Sequence, residues 1–106
     1  MQINEFVEYH RKRLMEGTLD GKEWSAERHA LKVVEELGEI ARCFTKPNDP
    51  ANSLAEELAD GISCLVILAI KCGYTDVDTL LRSKFNEVSL RKGSQVFIPE
   101  SINGNQ

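Results

Sequence analysis

The chain has 106 residues, 42% of them apolar and 28% charged, with a net charge of −4 and a pI near 5.2. That is one domain with room for one modest core, which a chain this small often extends by oligomerising. The acidic balance speaks against a nucleic-acid or acidic-membrane surface. Polar residues at Asn4, Glu5 and Glu8 interrupt any signal pattern. The longest apolar run, CLVILAI at 64–70, is far short of the roughly 20 residues that span a bilayer. Three cysteines, Cys43, Cys64 and Cys72, form no CxxC pair. They read as buried thiols in a reducing cytoplasm rather than as a disulfide framework or a zinc site.

The apolar spacing is helical almost throughout. A first helix is expected from Asn4 to Met15, with Phe6, Tyr9, Arg13 and Leu14 at three-to-four spacing and Gly17 ending it. The polar stretch at 16–24 is a loop, and its Trp24 reads as a packing residue that could also cap a nucleotide pocket. Ser25 is the expected N-cap of a second helix running to about Phe44. Pro47 and Pro50 make 45–52 a turn. Ser53 and Glu56 have capping-box spacing and open a third helix that runs to about Cys72, where Gly73 supplies a left-handed terminator. Thr75 with Asp78 repeats the capping-box spacing for a fourth helix ending near Gly93. The expected fold is therefore all-α: one four-helix domain over 1–93 and a partly disordered tail over 94–106. The third helix is apolar on every side from Ile62 to Ile70, so it needs neighbours all round, and one of them is expected to be another copy of the chain.

Two acidic knots stand out. The stretch VVEELGEIARC (33–43) carries Glu35, Glu36 and Glu39, and LAEELADGISC (54–64) carries Glu56, Glu57 and Asp60. A short turn joins the two helices, so they should lie antiparallel. Counting from that turn puts the pairs Glu36/Glu39 and Glu57/Asp60 at one height, about 9 Å up. Within each pair the i, i+3 spacing places both carboxylates on one face. The line through Glu57 and Asp60 continues as Cys64 and Ile67, so it turns apolar where a solvated stripe would stay polar. The line His29, Lys32, Glu36, Glu39, Cys43 is mixed. Gly61, beside the second knot, would let a partner backbone or a ligand approach closely.

Four converging carboxylates are in conflict. Two of them about 5 Å apart repel by about 3 kcal/mol at an effective dielectric near 20. Either some take up protons or a hard divalent cation joins them, Mg²⁺ being suited because it keeps waters and binds substrate phosphates. One acidic run alone is usually a solvated face. Two matched runs flanking one turn leave a solvated face and a metal site evenly balanced on geometry alone. Other metal and catalytic patterns do not fit. A helical di-iron site needs Glu-x-x-His, and neither His10 nor His29 stands three residues after a glutamate; both read as surface or packing residues. No EF-hand loop, phosphate-binding Gly-rich loop or GxSxG elbow is present.

The letters EELGE followed by ELAD, with 17 residues between Glu39 and Glu57, resemble the EExxE…ExxD signature of the MazG-like all-α nucleoside triphosphate pyrophosphohydrolases. KFNEVSLRKGS (84–94) is similar to that family's Lys/Asn/Arg-bearing segment. The resemblance implies a MazG-like bundle, a homodimer or a dimer-of-dimers tetramer, and Mg²⁺-dependent hydrolysis of a (deoxy)NTP to the NMP and pyrophosphate, with Mn²⁺ as a substitute metal. House-cleaning of unwanted nucleotides is one such role. Carried over, it implies Glu36, Glu39, Glu57 and Asp60 as metal ligands and Lys84, Asn86 and Arg91 as phosphate-binding groups. Glu35 would be a general base or a holder of a second metal, against the alternative of a plain solvated residue. A non-catalytic helical module, for assembly or for sensing Mg²⁺-nucleotide, is the competing class.

Overall fold

The computed structural model describes residues 2–17, 23–51 and 53–100. Among the described residues there are four helices and no strand: α1 (Ile3–Glu16), α2 (Ala26–Thr45), α3 (Leu54–Lys71) and α4 (Val77–Lys92). No helix is long and apolar enough to cross a membrane. The expectations for 18–22, Asn52 and the end of the tail at 101–106 lie outside the described residues.

Local chemistry sets the helix ends. Ser25 caps α2 by accepting from the Arg28 amide at 3.1 Å, and Ser53 caps α3 through the Glu56 amide at 3.4 Å. The cap of α4 is Asp76 rather than Thr75. Its carboxylate accepts from the Thr79 amide at 3.2 Å and the Thr79 hydroxyl at 2.7 Å. Asn4 reinforces that choice: its amide donates to Asp76 at 3.1 Å and its carbonyl accepts from the Asp78 amide at 2.9 Å. The start of α1 is thus tied to the start of α4, and Asn4 and Thr79 hold the Asp76 carboxyl below its usual range. Gly73 ends α3 in the left-handed conformation, φ +91°, with the Tyr74 amide returning to the Ala69 carbonyl at 2.9 Å.

The inner line of α1 runs through Ile3, Phe6, Val7 and His10, not through Tyr9, which is 62% exposed. Val7 meets Val66 of α3 and Val77 at the start of α4 in one small cluster. α3 is the central element, with α1 on one side and α2 on the other, while α4 packs on α1. Contacts along α2 and α3 run in opposite directions. Lys71 Nζ donates to the Trp24 carbonyl at 2.8 Å, and His29 reaches the Cys64 carbonyl at 3.1 Å. The two helices are therefore antiparallel. A β-carbon on Gly61 would stand 3.1 Å from Ile40 Cδ1, so the close approach that this glycine permits is made by a side chain of α2.

The packing leaves the chain open. Its radius of gyration is 16.3 Å, against about 13 Å for a compact chain of this length. Its surface of 7869 Å² exceeds the roughly 5,900 Å² of a compact monomer of its mass. Much of the excess is apolar: Leu31, Val34 and Phe44 of α2 and Ile62 and Leu65 of α3 are all at least half exposed.

Candidate metal centre and adjoining cavity

Three of the four expected ligands come together. One carboxylate oxygen from each of Glu36, Glu57 and Asp60 lies within 4.8 Å of the others. Glu39 is not among the residues whose oxygens meet that distance. Trp24 beside Lys71, His29 beside Cys64 and Ile40 against Gly61 set the two helices side by side over this stretch. Glu39 remains near enough to act electrostatically. The Glu57 carboxyl is pushed above its usual range first by burial, then by the charges of Glu39, Glu36 and Asp60, and by sharing a hydrogen bond with Asp60.

One cation faces this cluster. Lys32 pairs with Glu35 at 3.1 Å and with Glu36 at 3.4 Å, and its ammonium is held above its usual range chiefly by the Glu35 contact. Glu35 itself points outward and is 63% exposed at its side chain. The three α4 candidates lie elsewhere. Lys84 pairs with Glu87 at 2.8 Å. The Asn86 amide donates to the Ile98 carbonyl at 2.9 Å and accepts from the Ile98 amide at 2.8 Å. Arg91 is exposed near the end of α4. None of the three lines the main cavity.

That cavity, about 710 Å³, opens beside the acids between α1, α2 and α3. Its lining includes Glu36 and Asp60, the cations Arg13 and Lys32, and Trp24, His10, His29 and Ile67. The Trp24 ring has the Arg28 guanidinium over it at 4.6 Å, and its carbonyl is tied to Lys71. Trp24 is thus held at its ring by Arg28 and at its backbone by Lys71. Both histidines are buried, at 4% and 5% exposure. His29 Nε2 lies 3.1 Å from the Cys64 carbonyl and 3.4 Å from the Cys64 sulfur. Nδ1 of each histidine is buried with no hydrogen-bond partner among the described residues. Read from the sequence as surface or packing residues, both are buried parts of the cavity wall. Their places on the inner helical lines were the only signal for this, and apolar-line histidines usually mean no more than packing.

No family model, curated protein or solved structure matches the chain.

Burial lowers the pKa of both imidazoles, with Arg13 adding to the effect at His10 and Lys71 and Lys32 at His29. The unfolded chain takes up protons near pH 6.5 that the folded chain refuses, so these groups make stability fall as pH drops through that value. Glu57, with its raised pKa, acts in the opposite sense. The drop in Tm between about pH 7.5 and about pH 5.5 should therefore shrink in a His10→Leu variant. An unchanged drop would mean that His10 takes up its proton in the folded state as easily as in the unfolded one.

Proposed function

We propose that the chain is a divalent-cation-dependent nucleoside triphosphate pyrophosphohydrolase that works as a homodimer or as a tetramer built from dimers. The observation that carries the reading is the carboxylate cluster of Glu36, Glu57 and Asp60 at the wall of a cavity large enough for a nucleotide. The resemblance of EELGE…ELAD to the MazG-like signature supports it from the sequence. The donor set is all carboxylate oxygen, which suits Mg²⁺ or Mn²⁺, and the upward shift at Glu57 is the strain that such an ion relieves. When bound there, a divalent ion supplies charge neutralisation at the phosphates and at the leaving pyrophosphate.

The chain's own residues do the rest. Trp24, His10, His29 and Ile67 give the cavity an aromatic and apolar wall for the base and sugar. Glu39 and Glu35, which flank Glu36 without joining the cluster, are the carboxylates left to take the proton of the attacking water. The exposed apolar residues of α2 and α3 form a surface for a second copy, whose docking would bring the exposed area towards that of a compact particle.

Purified protein with Mg²⁺ should release pyrophosphate from at least one natural or modified dNTP. Glu57→Gln should lower that rate by at least about a hundredfold. The same variant should raise Tm in metal-free buffer, because one of the repelling charges is gone, and should lose the gain in Tm that Mg²⁺ gives the wild type. Trp24→Ala should raise KM about tenfold with little change in kcat, the loss expected for one stacked base. A chain that binds Mg²⁺-nucleotide but turns over nothing in a broad panel belongs to the alternative, a sensing or assembly module. Light scattering should give a mass of two or four chains, and Val34→Glu with Ile62→Glu should reduce it; a monomeric wild type would remove the self-association part.

A further inference from the structure

We propose that the polyphosphate is held within one chain by Arg13 of α1 and Lys32 of α2, and not by the cations of α4. This rests on the pyrophosphohydrolase reading for its ligand class, an inorganic or nucleoside polyphosphate. Both side chains line the cavity that Glu36 and Asp60 also line. Lys84 and Arg91 do not line it, and the Asn86 amide is committed in both directions to the Ile98 backbone. Arg13 makes no ion pair among the described residues, so its guanidinium fork is available to a ligand. The same cavity is lined by the nearly wholly buried His10, which feels the charge of Arg13, and His29, which feels that of Lys32. Two buried polar atoms without a partner among the described residues thus stand in residues that line a cavity of ligand size.

Charge accounting gives Lys32 a second part. Arg13 and Lys32 match Glu36 and Asp60 in number among the residues that line the cavity, and burial disfavours the charged form of both histidines. In that balanced state nothing favours a polyanion. Lys32 reaches Glu36 at 3.4 Å, so it stands in the place of a cation at that carboxylate. With Glu36 engaged by a divalent ion, the ammonium would keep only the exposed Glu35 as its partner, at 3.1 Å, and could exchange it for a phosphate in the cavity that Arg13 also lines. Lys32 is thus a counter-ion of the empty site and a phosphate ligand of the filled one. Polyphosphate binding should then require the divalent ion.

Calorimetric titration of the full chain with inorganic tripolyphosphate, with Ca²⁺ in place of Mg²⁺ to prevent turnover, tests this without any catalytic readout. The wild type should bind only with the divalent ion present. Arg13→Ala and Lys32→Ala should each weaken binding about tenfold or more, the loss expected for a charge-assisted contact. Lys32→Ala should also bind Ca²⁺ alone at least as tightly as the wild type, because it removes the competitor at Glu36; a lysine that merely supported the fold would weaken both ligands. Circular dichroism checks that the variants are folded, and Lys32→Met, which keeps the stem, repeats the test if Lys32→Ala is not. No binding by the wild type, binding that survives both substitutions, or loss of binding confined to Lys84→Ala and Arg91→Ala would each overturn the proposal. Failure to release pyrophosphate in the turnover assay, with tripolyphosphate binding still dependent on Arg13 and Lys32, would reject the enzyme reading and leave this site standing.

Discussion

Repulsion between like charges is the constraint around which the helical pair is built. Glu36, Glu57 and Asp60 would separate in water, yet the fold brings an oxygen of each within 4.8 Å of the others. What holds them is packing one to three turns away. His29 bonds to the Cys64 carbonyl, Lys71 draws in the backbone at Trp24, and Ile40 presses into the space that Gly61 leaves. None of these contacts can slide by a residue without losing its partner, so the register that brings the acids together is fixed from outside the cluster. The cost falls on Glu57, whose carboxyl resists ionisation.

The same register shapes the cavity. The helical line that brings Glu36 to the acids also carries Lys32 and His29, one and two turns earlier. α1 adds His10 and Arg13 from the facing side. Apolar burial keeps both imidazoles neutral, so the charges that matter are two cations and two carboxylates. A nearly neutral, partly aromatic chamber with a strained acidic edge is suited to a ligand that arrives together with its own divalent ion.

Much of this was legible in the sequence. The four helices follow from apolar spacing, and Ser25, Gly17, Gly73 and Gly93 mark ends that the structure bears out. The i, i+3 spacing of the acids and the short turn predicted one height and one face, and for Glu36, Glu57 and Asp60 that is what the helices give. What was not legible depended on contacts distant in sequence. The α4 cap moved to Asp76 because Asn4 bonds to it from α1, a contact no local pattern contains. Glu39 acts on Glu57 by charge without joining the cluster, because equal height and a shared face do not fix side-chain positions to the last few ångströms. Asn86 was spoken for by the tail through Ile98. Arg13 and Lys32 stood on helical lines with apolar and acidic residues, and only the packing of α1 and α2 on α3 shows that they line one cavity.

The most direct measurement is a crystal structure of the full chain grown or soaked with Mn²⁺, read by anomalous scattering. The account predicts a peak bonded to oxygens of Glu36, Glu57 and Asp60, with Lys32 turned away from Glu36. A map with Mn²⁺ bound elsewhere or nowhere, and Lys32 still paired with Glu36, would contradict it.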